Sequence, residues 1–276
     1  MEIKMHPGYV VLICVGALLL LFALLYILMA KPGKKRGGVD KFLEYKYAHR
    51  GLHGHGAAEN SMTAFKRAVD AGYGIELDVR LSADGELVVF HDPSLERMAG
   101  IDELVRSKTA DELATVKIGG TEDTVPRFSE VLALVDGKIP LLVEIKEEVG
   151  ELAVTEKTIE MLRGYAGDYM IESFNPLSIG LVRKKMPNAI RGFLAQNFKR
   201  YKKHRNLAYF LSQNFVFNVK CRPDFIAYRH DDYKTLSFRL QKHLFKATTV
   251  AWTVKTKEEE KAALEHGFAC VIFEDK

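Results

Sequence analysis

Eight short apolar runs alternate with longer amphipathic stretches between residues 46 and 273, and this alternation restricts the chain to a small set of folds. The runs occupy 46–50, 74–81, 139–146, 169–174, 189–195, 224–229, 248–254 and 269–273. Between them, 61–71, 128–136, 152–165 and 257–266 carry helical spacing, with Ser61 placed to cap the first. That number of strand–helix units in about 235 residues predicts a (β/α)8 TIM barrel. A doubly wound sheet would alternate in the same way. The second unit is irregular. Asp84-Gly85 is a hairpin signal between 75–81 and 86–91. Residues 92–125 then run without a clear helix, which predicts a small insertion after the second strand, over one end of the barrel.

Ahead of this domain, residues 9–30 hold no charged side chain, and Gly16 is the only break in an apolar run. At about 1.5 Å per residue, a helix of that length crosses the roughly 30 Å hydrocarbon core of a bilayer. A secretory signal would have an apolar core of about 7–15 residues and a small-x-small cleavage site. This run ends instead in Leu28-Met29-Ala30-Lys31-Pro32. The reading is a single-pass N-terminal transmembrane anchor at 1–30, a basic Gly/Lys linker at 31–41 and a domain at 42–276. The glycines at 33–38 read as flexible. Lys31, Lys34, Lys35 and Arg36 outweigh Lys4, which predicts a cytoplasmic domain.

The net charge of +4 lies wholly in this leading segment, since residues 1–41 carry six basic and two acidic residues and the remainder 34 of each. A neutral domain excludes nucleic-acid binding across its surface. Cys14 falls in the apolar run, and Cys221 and Cys270 are too few and isolated for a disulfide framework or a zinc site. Both read as buried small apolar residues.

Titratable residues gather at the C-terminal ends of the predicted strands, the end where barrel active sites are built. The first strand ends in His49-Arg50-Gly51, followed by Glu59-Asn60. The second carries Glu76-Leu77-Asp78, and period two puts both carboxylates on one face. Like charges so placed are costly unless a cation or proton separates them. The hairpin returns to His91-Asp92, and the third predicted strand ends in Glu144-Ile145-Lys146. Three inward carboxylates suggest a hard divalent cation, Mg2+ or Ca2+, and leave acid–base work to the histidines.

In order and spacing these pieces, with Ala64-Phe65, Leu95-Glu96-Arg97, Ser173-Phe174 and Trp252-Thr253-Val254, resemble the glycerophosphodiester phosphodiesterase family over nearly all of residues 45–275. The resemblance implies a TIM barrel with a phosphatidylinositol-phosphodiesterase-like fold and metal-dependent hydrolysis of glycerophosphodiesters to sn-glycerol 3-phosphate and an alcohol. It implies Glu76, Asp78 and Glu144 as metal ligands and His49 and His91 as the general acid–base pair. Arg50 would bind phosphate, with Glu59 in the same substrate-binding set, and Lys146 would reach substrate oxygens. Phe174 and Trp252 would form an apolar wall beside the glycerol. Two other functions fit the same residues less fully: a lyase-type phospholipase D acting on lysophospholipid or sphingomyelin, and a non-catalytic lipid-binding barrel.

The chain departs from the family pattern at Ala58, where proline is usual, at Lys255, where asparagine is usual, and at Phe273-Glu274-Asp275-Lys276, which replaces Thr-Asp-x-Pro. His53 and His55 read as loop residues. Residues 173–223 carry eleven basic and no acidic side chains. Their centre, 199–205, reads either as a solvated barrel helix or as a patch for an anionic lipid surface.

Overall fold

The computed structural model of the protein describes residues 6–34, 37–147, 150–200 and 206–275. Nine strands follow in chain order: β1 Tyr47–His49, β2 Gly74–Leu81, β3 Leu87–Val89, β4 Leu141–Ile145, β5 Tyr169–Ser173, β6 Ile190–Ala195, β7 Phe225–Arg229, β8 Thr248–Val254 and β9 Cys270–Phe273. Eight of them pair in parallel, and β1 bonds both β2 and β9, so the sheet closes into the expected (β/α)8 barrel. β3 runs antiparallel to β2 as the return of the Asp84-Gly85 hairpin. The insertion that follows has a core of its own, in which Leu95, Val105, Leu113, Ile118 and Val125 pack on Val88 and Phe90.

Period two along the strands separates the interior into two halves. One parity, including Ile75, Leu77, Val79, Leu141, Val143 and Ile171, packs under the helices. The other faces the barrel axis. Near the strand starts it is apolar, with Tyr47, Leu142, Met170, Ile190, Phe225 and Val250 in one cluster. The helix Val39–Leu43 closes that end by burying Val39 and Phe42 against the cluster. Each such side chain contributes about 1.5–3 kcal/mol. Near the strand ends the same parity becomes polar: His49, Glu76, Asp78, Glu144, Lys146.

The apolar run forms the helix Pro7–Ala30, long and apolar enough to cross a membrane, with its outward side chains unpacked against the barrel. Its last residue differs. Ala30 is fully buried, and its carbonyl accepts from Asn218 Nδ2 at 2.8 Å and Gln241 Nε2 at 2.9 Å, both on buried side chains. Gly33 N donates to Pro223 O at 2.8 Å, in a gap where a Cβ on Gly33 would stand 2.6 Å from Arg222 O. The chain at 30–33, where the stretch read as a linker begins, is therefore seated on the barrel, and it meets the barrel again at Val39–Leu43, where that stretch ends. Glycine at position 33 serves close backbone approach, not freedom; residues 35 and 36 lie outside the described set.

Of the basic centre 199–205, residues 201–205 also lie outside the described residues. Lys199 is exposed, whereas Arg200 is engaged by Asp231 at 3.1 Å and Asp232 at 2.9 Å.

Candidate active site

The polar mouth forms where β1, β2, β4 and β5 end. Sheet register sets His49 beside Glu76, Asp78 beside Glu144, and Glu144 beside Glu172. Immediately after β1, Arg50 and Gly51 adopt φ of 56° and 80°. A left-handed arginine is strained and needs surrounding structure to hold it. Here the turn directs Arg50 N onto Glu76 Oε2 at 3.0 Å, and a Cβ on Gly51 would come within 2.9 Å of Ala64 Cβ.

Glu76, Asp78 and Glu144 are buried, and each offers an oxygen within 4.8 Å of the other two. Lys146 Nζ lies 2.6 Å from Glu144 Oε1 and 3.0 Å from Asp78 Oδ1, while Arg50 Nε is 3.5 Å from Asp78 Oδ2. Burial pushes the Glu76 carboxyl well up, and the neighbouring Asp78 and Glu144 push it the same way. Burial likewise raises Glu144, against the pull of Lys146. Asp78 moves the other way: burial opposes its ionisation, but Lys146, His91 and Arg50 together hold it well below the usual carboxylate range. This compact, all-oxygen set with excess negative charge fits a hard divalent cation, which would favour ionisation of all three.

Both histidines are oriented by carboxylates. His49 Nδ1 lies 2.9 Å from Glu274 Oε1, and its Nε2 is 3.9 Å from Glu76 Oε2. Donation from Nδ1–H to Glu274 leaves the Nε2 lone pair toward the carboxylate cluster. Burial lowers the His49 pKa by more than the bond to Glu274 raises it. His91 Nδ1 lies 2.6 Å from Asp92 Oδ1, and Arg97 Nε donates to Asp92 Oδ2 at 2.5 Å. Burial would raise Asp92, yet His91 and Arg97 hold it below the ordinary range.

Glu59 accepts from Arg50 Nη1 at 2.7 Å and from Arg97 Nη2 at 2.6 Å. It acts on the site through two arginines. The rings of Phe174 and Trp252 meet edge to face at 5.6 Å between centroids. All ten residues singled out from the sequence thus converge on one end of the barrel.

Three further residues belong to the mouth. Glu274 orients His49, as described. His53, read from sequence as a loop residue, offers a ring nitrogen within 4.8 Å of ligand atoms on His49 and Glu274. Glu172 is buried, and its Oε2 has no hydrogen-bond partner among the described residues. Burial, with Glu144 and Glu76 beside it, pushes its carboxyl well up. A parity signal was available for both glutamates: Glu172 shares a strand face with Phe174, and Glu274 follows Cys270 and Ile272 at period two.

A glycerophosphodiester phosphodiesterase of Caldanaerobacter subterraneus subsp. tengcongensis is 35% identical to the chain over 161 residues, or 54% of this chain and 65% of that protein. The lysophospholipase D GDPD1 of Rattus norvegicus is 29% identical over 144 residues, covering 48% of this chain and 45% of that one. The matched stretch spans less than two thirds of the length of either relative. A phosphodiesterase of Oleispira antarctica, solved in complex with the product sn-glycerol-3-phosphate, has the same fold with a TM-score of 0.70 at 21% identity; 84% of this chain and 94% of that chain are covered. A family model described as the glycerophosphoryl diester phosphodiesterase family matches residues 49–275, the barrel with its whole polar mouth, and the chain belongs to that family.

Proposed function

We propose that the protein is a membrane-anchored, divalent-metal-dependent enzyme that hydrolyses glycerophosphodiesters to sn-glycerol 3-phosphate and an alcohol. The reading is carried by one observation: three buried carboxylates within 4.8 Å share a barrel mouth with two histidines, each tied through Nδ1 to its own carboxylate. A binding module has no need of that full set. The printed names of the relatives and the product bound to the Oleispira antarctica neighbour agree with the substrate class.

Mg2+ or Ca2+ held by Glu76, Asp78 and Glu144 would offset phosphodiester charge and polarise a phosphoryl oxygen. Arg50, braced by Glu59, and Lys146 present positive charge to the remaining phosphoryl oxygens. His49, kept neutral by burial, accepts the proton of the attacking oxygen at Nε2, and Glu274 stabilises the imidazolium that results. His91, backed by Asp92, gives a proton to the departing alkoxide. Phe174 and Trp252 cover the apolar face of the glycerol.

The helix Pro7–Ala30 remains attached as a single-pass anchor in this reading. Cleavage ahead of Lys31 would remove the carbonyl shared by Asn218 and Gln241 and leave two buried amides unpaired. The basic flank at 31–36 favours a cytoplasmic side for the barrel, residues 42–276.

The deciding assay follows alcohol and glycerol 3-phosphate release from glycerophosphocholine by the full chain, with Mg2+ or Ca2+ and with a chelator. Activity should need the ion and be lost in His49→Ala and Glu76→Ala. Full activity in both variants, or in chelator, would overturn the assignment.

A further inference from the structure

The end of the barrel opposite the mouth is basic along one arc. Helices in this fold run from the mouth back to the strand starts, so their last turns, and the residues just ahead of each strand, lie at that far end. There the helix Pro176–Lys185 ends in Arg183-Lys184-Lys185, and the helix Asn218–Cys221 leads into β7 through Lys220 and Arg222. The helix Leu236–His243 ends in Lys242-His243, with Lys246 following ahead of β8. No Asp or Glu falls in 173–223 or in 233–257. Of the three acids between those stretches, Asp231 and Asp232 follow β7 at the mouth, and Asp224 is buried beside Arg191. Lys185 is paired with Glu156 at 2.6 Å. Lys184, Lys220 and Lys246 are exposed and have no acidic partner among the described residues. The dipole of a helix C-terminus accounts for basic residues in a last turn; Lys246 lies outside any helix, and neighbouring units repeat one sign along a single edge.

The N-terminal helix joins the barrel on this same arc. Ala30 O accepts from Asn218 and Gln241, Gly33 N donates to Pro223 O, and Arg222 Nη1 donates to Lys31 O at 2.5 Å. Lys31 and Lys34, which flank this seat, are exposed. Val219 and Leu244, 38% and 52% exposed, set apolar side chains among the lysines. The end of the helix Pro7–Ala30 therefore brings a lipid head-group layer to the strand-start end of the barrel. β2 has eight residues, and at about 3.3 Å per residue and a tilt of about 36° it separates that end from the mouth by about 20 Å.

We propose that the strand-start face around β6–β8 lies on an anionic leaflet, with Lys31, Lys34, Lys184, Lys220 and Lys246 at lipid phosphates, Val219 and Leu244 at the interface, and the mouth turned away from the bilayer. The proposal rests on the anchor reading above. The end of a single helix fixes one point of the barrel, whereas charge along an arc fixes its tilt. Each basic residue close to an anionic surface multiplies the docked population about fivefold. At physiological salt that attraction decays over about 8 Å. It therefore acts on the lysines at the strand starts and not on the carboxylates about 20 Å above them.

The test uses the full chain in vesicles of phosphatidylcholine, alone or mixed with phosphatidylglycerol, each containing a lipid spin-labelled at its head group. Trp252 is the single tryptophan and stands at the mouth, so wild-type emission should be unquenched in both vesicles. Emission added by Leu244→Trp should be quenched in the anionic vesicle and much less in the neutral one. Lys220→Gln with Lys246→Gln on that background should lower the docked-to-undocked ratio about thirtyfold and return the anionic signal to the neutral level, with Tm unchanged. Quenching of Trp252, or Leu244→Trp emission indifferent to lipid charge, overturns the proposal. Release of the wild-type chain by an alkaline wash overturns the anchor reading and the proposal with it; a retained chain without charge-dependent quenching overturns the proposal alone. Concentration-dependent self-association lost on neutralising Lys220 and Lys246 would assign the face to another copy of the chain and refute docking on lipid.

Discussion

The contact between Glu274 and His49 links residues 225 positions apart and gives the sharpest test of the mouth. Their side chains are only 13% and 15% exposed, so solvent screens the pair weakly. A hydrogen bond to an ionised group contributes about 1.5–3 kcal/mol. At about 1.36 kcal/mol per tenfold, losing it in the transition state slows turnover about ten- to a hundredfold. Lys255 Nζ, 3.4 Å from Glu274 Oε2, draws on the same carboxylate and favours the lower half of that range. Glu274→Ala should therefore lower kcat for glycerophosphocholine by about tenfold or more with KM within about twofold, because the bond strengthens as His49 becomes positive. Glu274→Gln keeps an acceptor and loses the charge, so its loss should be several-fold smaller. The same bond depresses the Glu274 carboxyl from 4.5 to about 2. Stability from this depressed carboxyl is complete above about pH 4.5 and is lost as pH falls toward 2. The stability gap between wild type and Glu274→Gln in chemical denaturation should accordingly be constant at neutral pH and close through that window. A wild-type kcat in Glu274→Ala, or a loss confined to KM, would refute the positioning role.

Other measurements probe different parts of the molecule. Asn218→Ala leaves Ala30 O with one buried donor; at about 1–3 kcal/mol the full chain in detergent should melt about 2–8 °C lower, and an unchanged Tm would dismiss the seat. Mg2+ or Ca2+ at millimolar concentration should raise the wild-type Tm and not that of Glu144→Gln, measured without substrate; equal shifts would place the ion elsewhere. Since burial, Glu144 and Glu76 push the Glu172 carboxyl well up, Glu172→Gln should preserve Tm within about 2 °C, whereas a large loss would mean that the carboxylate is ionised. Burial pushes the Cys221 and Cys270 thiols up to about 12, so neither should be alkylated by iodoacetamide at pH 8 until the protein unfolds.

The local rules that carried the sequence reading work over a few residues. Strand parity put Glu76 with Asp78 and Glu144 with Lys146, and the barrel keeps those faces. An Asp-Gly pair marked the β2–β3 hairpin, and Ser61 caps its helix by accepting from Ala64 N. A charge-free run of membrane length became one helix. These features depend on hydrogen-bonding geometry and hydropathy that neighbours in the chain impose on one another.

The contacts at 30–33 arise for the opposite reason. Lysines and glycines at 31–38 have the composition of a spacer, but Ala30 and Gly33 meet groups from 218–241 that no local rule brings near. The helix Leu207–Gln213 leaves Leu207 and Phe210 exposed and buries Ser212 and Gln213, which is equally invisible in a window of seven residues, since only packing decides which side faces out. Sequence by itself determined the alternating fold, the membrane-length helix and the set of strand-end residues able to do chemistry. Tertiary structure alone decided which carboxylate orients which histidine and how the end of the N-terminal helix seats on the barrel, because each depends on closing β9 onto β1 and packing the helices around that ring.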